Sequence, residues 1–221
     1  MTEWGSFAIG LKIVYFQKKF GRRMRIKDGE YCKCITLNPG EYYVSNEEVV
    51  MTTLLGSCVS ACLYDPYNKI TGMNHFLLSS KHYARNMPIC TTEAGRYGIH
   101  SMELLINEMW NRGAQRGNLK AKAFGGGSIL KTSDKFTSNY FSVGEVNVRF
   151  IREFLQNENI PLVAFDLGGP VGRIINFHSR DYSVYVRKMT ATGAKLVKRE
   201  EKYWKTSLQK QEERETQIDL W

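Results

Sequence analysis

No apolar run in this sequence is long enough to cross a bilayer. The longest early stretch, Phe7 to Phe16, falls short of the roughly 20 residues that a spanning helix needs. Basic residues follow that stretch, whereas a signal peptide carries its charge in front, so no export signal is expected. Histidine is scarce, at four residues, and cysteine stops at an odd five: Cys32, Cys34, Cys58, Cys62 and Cys90. Without export these stand in a reducing compartment where disulfides are rare, which leaves thiol chemistry or plain burial as their uses. No internal repeat is visible, and neither a phosphate loop nor a dinucleotide fingerprint is completed. Gly125-Gly126-Gly127 has no lysine directly after it to reach a phosphate. Acidic residues are missing where basic ones gather: Lys12, Lys18, Lys19, Arg22, Arg23, Arg25 and Lys27 face only Glu3.

What is present fits one globular unit. The 221 residues are 43% apolar and 24% charged, enough for one core with decorated ends. The net charge of +9, from 31 basic and 22 acidic residues, suggests an acidic partner and is concentrated at the amino end. The expected division is a basic leader (1–38), a core (39–190) and a charged tail (191–221), with Asn38-Pro39-Gly40 as the first punctuation.

Within the core, Glu41–Ser45 and Val49–Leu54 read as extended, and Val59–Tyr64 with Met73–Leu78 as a hairpin around Asp65-Pro66-Tyr67-Asn68. Ile99, Met102, Leu105, Ile106 and Met109 recur at three and four, which predicts a helix over about Gly95 to Arg112 that Gly113 stops. The same spacing marks Glu145–Gln156. Strands are expected at Leu119–Phe124, Leu162–Leu167, Arg173–His178 and Ser183–Lys188. Strands in runs with two main helices between them favour an α+β fold, a layered, mixed and mostly antiparallel sheet.

If Asp65 pairs with Asn68, the hairpin register sets Cys58 directly opposite His75. Opposed residues have Cβ atoms about 4.5–5.5 Å apart, near enough for a thiol and an imidazole to share a proton. A longer loop would shift that register, and an odd slip would separate the two groups. A thiol with a pKa near 8.5 is little ionised at neutral pH, and an adjacent imidazole supplies the thiolate that attacks amide carbonyls. The competing reading of Cys58 as a small buried hydrophobe is common for this residue type. Gly56-Ser57 permits a tight entry to Cys58, and backbone N–H groups around Ser57 and Cys58 are candidates for an oxyanion site. Gly125 and Gly126 could let substrate approach the backbone, although a strand-end turn also explains them. Zinc on Cys58, Cys62, His75 and His82 fails on geometry, because strand residues four apart lie roughly 13 Å from each other. No metal and no cofactor is expected, and His100 and His178 read as packing or solvated residues.

The run from Leu55 through Cys58 to Pro66, followed by Gly72-Met73-Asn74-His75-Phe76-Leu77-Leu78, resembles the signature of the chemoreceptor glutamine deamidases, the CheD family. Arg96-Tyr97-Gly98, Ala123 to Gly127, Val143-Gly144-Glu145-Val146-Asn147, and Asp166 to Gly169 before Gly172-Arg173 match in order and spacing. The resemblance runs from about Pro39 to Arg187. It implies an α/β/β sandwich and a cysteine, histidine, threonine triad whose threonine stands six residues before the cysteine, at Thr52; the neighbouring Thr53, on the opposite strand face, competes for that place. It further implies conversion of receptor glutamines to glutamate with release of ammonia, methyl-ester hydrolysis as a related reaction, cytoplasmic action at receptor arrays, and a CheC-type phosphatase as partner. The leader and tail fall outside it. The leader's Trp4, Phe7, Tyr15, Phe16 and Phe20 among basic residues suggest contact with an anionic membrane surface. Two other functions compete: a non-enzymatic adaptor docking on receptors or the phosphatase, and a nucleic-acid binder, for which the core carries no signature.

Overall fold

The computed structural model describes residues 22–25, 31–78, 88–128, 142–189, 202 and 206. Among the described residues, ten strands form two five-stranded sheets. In chain order they are β1 (Arg22–Arg25), β2 (Tyr31–Thr36), β3 (Tyr42–Ser45), β4 (Val49–Leu55), β5 (Val59–Asp65), β6 (Ile70–Asn74), β7 (Lys120–Gly125), β8 (Leu162–Leu167), β9 (Arg173–His178) and β10 (Val184–Lys188). The helices are α1 (Glu93–Asn111) and α2 (Val143–Asn157). The first sheet runs β1-β2-β4-β9-β10 and the second β3-β6-β5-β7-β8. Every pair is antiparallel except β2 with β4 and β7 with β8.

Side-chain alternation explains the layering. Along β4, Val49, Met51 and Leu55 are buried in the same cluster as Ile175 and Phe177 of β9 and as Cys62 and Tyr64 of β5, so the two sheets pack face to face. The other face of β5 presents Val59, Ala61 and Leu63, which join Met102, Leu105 and Met109 of α1 and Phe150, Ile151 and Phe154 of α2. A strand covered on both faces reads as a nearly continuous apolar run, as β5 does. The result is the layered α+β sandwich, helices on sheet on sheet.

Both helices begin as their sequence directs. Thr92 accepts from the Gly95 N–H, and Ser142 and Glu145 form a capping box at α2. Exposing one face of α2 and burying Val146, Phe150, Phe154 and Leu155 follows from their spacing.

Two expectations change. First, β1 and β2 lie before residue 38, in the segment read as a leader; β2 pairs with β4 along Lys33 to Thr36, and Ile35 and Leu37 enter the core between the sheets. The rest of the leader and nearly all of the tail lie outside the described residues. Second, the hairpin loop is longer than a two-residue turn: Asp65 pairs with Ile70, not Asn68. Pro66 cannot adopt the positive φ of the primed hairpin turns. Instead the Asp65 carboxylate accepts from the N–H groups of Tyr67 and Asn68 and from the Asn68 amide, and Lys69 turns the chain back at φ 53°. Burial by itself would push the Asp65 carboxyl up, but those donors and the Gln115 N–H outweigh it and hold it below its ordinary value. The strand β6 accordingly begins at Ile70 and ends at Asn74, with Phe76 joined to Val59 by an isolated bridge.

Candidate active site

The longer loop moves the register by two residues, so Cys58 is not directly opposite His75. An even slip keeps both on one face. Cys62 pairs with Met73 and Val59 with Phe76, which places His75 one diagonal step from Cys58 on the face turned toward the first sheet. Cys58 belongs to the cluster between the sheets, and both residues are buried, at 0% and 1% exposure. The ladder between β5 and β6 is interrupted just there. The Asn74 side chain takes the Ala61 N–H at 2.9 Å, and the Ser60 hydroxyl donates to the Asn74 carbonyl at 2.5 Å. The His75 backbone is thereby released toward β3, where its N–H donates to Glu41 C=O at 3.0 Å and its C=O accepts from Gly40 N–H at 2.7 Å.

The threonine that meets the histidine is Thr53. Its Oγ1 lies 2.8 Å from His75 Nδ1 and 2.7 Å from the Leu37 carbonyl oxygen. Thr53 is opposite Ile175, on the inner face of the first sheet; Thr52 is opposite Asn176 and Thr36, on the outer face. Counting residues points to Thr52, but alternation along β4 turns its hydroxyl away from the imidazole. The contacts also assign the tautomer. A hydroxyl has one proton and Leu37 C=O can only accept, so Thr53 donates to Leu37 and accepts from Nδ1–H. In the neutral ring the basic nitrogen is then Nε2.

The turn carrying Cys58 is held from behind by the glycine run. Gly127 N–H donates to Gly56 C=O and Gly126 N–H to Cys58 C=O, each at 2.7 Å. The Gly126 N–H is therefore committed to supporting the turn and is not an oxyanion donor. A Cβ on Gly125, at φ 114°, would lie 2.1 Å from the Cys58 carbonyl oxygen, so only glycine lets β7 end this close. Ser57 and Gly56 are buried alongside. Sequence reasoning passed over Asn147 except as part of a motif. Its amide donates to Ser57 C=O at 3.0 Å, and a polar residue on the apolar stripe between Val143 and Phe150 was the available signal.

None of the five cysteines is in a disulfide. Burial pushes the Cys62 thiol well up, and burial with the Glu153 carboxylate pushes Cys90 up to about 11. Cys32 is raised by burial and by Glu48. These three are poor thiolates. His82 of the zinc alternative lies outside the described residues, and among the described residues no three metal-binding side chains gather. No described helix is long and apolar enough to cross a membrane.

A family model described as CheD chemotactic sensory transduction matches residues 78–188, a span that begins just after His75. The probable chemoreceptor glutamine deamidase CheD 1 of Geobacter sulfurreducens is 52% identical over 188 residues, covering 85% of this chain and 93% of its own. The probable chemoreceptor glutamine deamidase CheD of Methylobacillus flagellatus is 41% identical over 87% of each chain. A relative described in the same words as a CheD 1, from Shewanella oneidensis, is 38% identical over 90% of this chain and 88% of its own. With similarity of this depth spanning nearly the whole length, and with the layered fold beneath it, the chain belongs to the CheD family.

Proposed function

We propose that the protein hydrolyses glutamine side-chain amides of chemoreceptors to glutamate, with Cys58 as nucleophile and His75 as its base. The observation that carries this reading is the Thr53–His75 contact, which leaves Nε2 as the basic nitrogen of a ring on the same sheet face as Cys58. Nε2 takes the thiol proton, and the sulfur bonds to the side-chain carbonyl carbon as the carbonyl electrons move to oxygen. Collapse of that tetrahedral species breaks the C–N bond, with the imidazolium giving its proton to departing ammonia. His75 then takes a proton from water, whose oxygen attacks the thioester and releases glutamate and the thiol. The same steps hydrolyse a methyl ester with methanol leaving. No step calls for a metal or cofactor. Because Cys58 has no exposed surface, a glutamine side chain enters only when the site opens. Receptor cytoplasmic helices as substrate make the cytoplasm the place of action, and a CheC-type phosphatase fits as a partner beside them.

Mass spectrometry of receptor fragments tests the activity. Incubation with the full chain is expected to add about one dalton at selected glutamines, the mass change from amide to acid, with equimolar ammonia. Receptor fragments of unchanged mass would leave a docking adaptor as the better reading.

The threonine assignment has its own test. Thr53→Val leaves Nδ1–H and Leu37 C=O without their shared partner and is expected to lower kcat between about ten- and a hundredfold, with Thr53→Ser restoring most of it. Thr52→Val is expected to stay within about twofold of native, because its side chain faces away from the ring. Equal losses at the two positions would refute the orientation argument.

A further inference from the structure

His75 stands between two peptide units, and each is held at both ends. The His75–Phe76 peptide has its C=O on Gly40 N–H at 2.7 Å and its N–H on Val59 C=O at 2.9 Å. The Asn74–His75 peptide has its N–H on Glu41 C=O at 3.0 Å and its C=O on the Ser60 hydroxyl at 2.5 Å. Three of these four restraints are backbone groups; the fourth is one side chain. Ser60 is fully buried, and the register that pairs Cys62 with Met73 and Val59 with Phe76 sets it directly opposite His75 on the face between the sheets. Val59 and Phe76 exchange both ladder bonds, and that pattern repeats every two residues, so a regular ladder would give the Ala61 N–H to the Asn74 carbonyl. Instead the Asn74 Oδ1 takes that N–H at 2.9 Å, while its amide donates to Ser101 Oγ at 3.3 Å and Met102 Sδ at 3.2 Å on α1. The Asn74 carbonyl is thereby released from the ladder and turns to Ser60.

We infer that Ser60 is a positioning residue for His75, acting through the Asn74–His75 peptide. The inference rests on the reading of Cys58 as nucleophile and His75 as its base. A peptide unit is planar, so a carbonyl held on one side and an N–H held on the other fix its plane, and two fixed planes fix the Cα between them. The Cα–Cβ bond then sets where the imidazole begins, and Thr53 Oγ1, 2.8 Å from Nδ1, sets how it turns. The Ser60 hydroxyl has one proton and Asn74 C=O can only accept, so Ser60 donates to it and keeps its lone pairs for the Cys62 thiol beside it. Without that donor the Asn74 carbonyl is left buried and unpaired, which drives the peptide to rotate toward another donor. Rotation of that plane carries the Cβ of His75 with it, and a shift of about 1 Å at a reacting group suffices to cost on the order of a hundredfold in rate. Ser60 exchanges no proton with substrate in this scheme; it sets where the ring of the base starts.

Ser60→Ala tests this, because it removes the donor at the loss of one buried oxygen. The expected result is a fall in kcat for ammonia release of about ten- to a hundredfold, with KM within about threefold of native. Alkylation of Cys58 by iodoacetamide, read by mass spectrometry of the Cys58 peptide, separates lost positioning from general damage. At about pH 7 the thiol needs the imidazole to take its proton, so the rate is expected to fall about tenfold. At about pH 9.5 solvent base takes the proton, and the gap is expected to close to within about threefold. A native kcat would overturn the inference, and so would an alkylation gap equal at both pH values, which marks lost access. Asn74→Ala reaches the same peptide by another route, because it vacates the Ala61 N–H and lets the carbonyl of residue 74 return to the ladder. It is expected to lower kcat by a similar factor, with the double variant no more than about threefold below either single one. Falls that multiply in the double variant show two separate injuries and overturn the shared route. If Ser60→Ala does not fold, Asn74→Ala with the same alkylation measurement decides. A Cys58→Ala control separates the two claims. Ammonia release by that control sinks the underlying reading, whereas a silent control beside a Ser60 variant of native kcat sinks the positioning role alone.

Discussion

Replacing Cys58 with alanine is expected to remove ammonia release from receptor fragments, a loss on the order of 10⁴-fold or more, while leaving the fold and receptor binding intact. The loss is large because the other described thiols are poorly placed: Cys34 stands opposite Val50, on the same outer face of the first sheet as Thr52, and Cys32 and Cys90 are poor thiolates away from His75. Cys62 is buried on the same strand face and, like Cys58, lies one diagonal step from His75, but burial pushes its thiol well up, and the turn held by Gly126, Gly127 and Asn147 carries Cys58 alone. The fold survives because only a sulfur atom leaves a packed cluster, a cost of about 1 kcal/mol. The matched control is Cys62→Ala, expected to lose similar stability with activity within about twofold of native. Release of ammonia at the native rate by the Cys58 variant would end the nucleophile assignment, and loss of activity in both variants with matching loss of stability would reduce it to a packing effect.

How far the site was legible follows from parity. The hairpin register read from Asp65-Pro66-Tyr67-Asn68 is off by two residues, because Asp65 collects donors from the loop and Lys69 completes the reversal. Faces repeat every two residues, so Cys58 and His75 still lie on one face of the sheet. The threonine shows the converse. Thr52 and Thr53 differ by one position, and one position exchanges the inner face for the outer. Only the pairing of β4 with β9, which sets Thr53 against the buried Ile175, decides between them. Such a pairing joins residues far apart in sequence and leaves no local mark. The same limit hid β2, whose parallel pairing with β4 requires no turn signature, and β1, whose four residues are mostly arginine. The strands with alternating or continuous apolar patterns and both capped helices were readable, since each carries its own periodicity. Asn147 was legible only as an anomaly, a polar residue in an apolar stripe whose partners lie in other elements.

Arg173→Met is expected to lower stability by about 3–5 kcal/mol, a fall in Tm of roughly 10 °C for a chain of this size. The side chain is 1% exposed, yet it is charged. Burial pulls its pKa down, and the Asp166 carboxylate, 3.4 Å away, opposes that pull. Its guanidinium donates to the carbonyls of Gly125, Asp166, Gly168 and Val171, though among the described residues its Nε finds no partner. Arg173 stands on β9 opposite Leu55, whereas Gly125 ends β7 and Asp166 and Gly168 lie at the end of β8, so one side chain fastens the first sheet to the second. Methionine fills much of the volume, and although Gly125 C=O keeps the Gly168 N–H, the carbonyls of Asp166, Gly168 and Val171 lose the guanidinium, and each partly buried group left unpaired adds its own cost. Lysine is not expected to rescue more than about half of the loss, because one ammonium cannot reproduce the planar fork that reaches several carbonyls together. The fastening point adjoins the site: Gly125 contacts the Cys58 carbonyl, and Gly126 and Gly127 hold the turn. Thermal inactivation of ammonia release is therefore expected to shift with the calorimetric Tm in Arg173→Met. A Tm within about 2 °C of native would show that the carbonyls find other donors and that the two sheets are held at this end by packing alone.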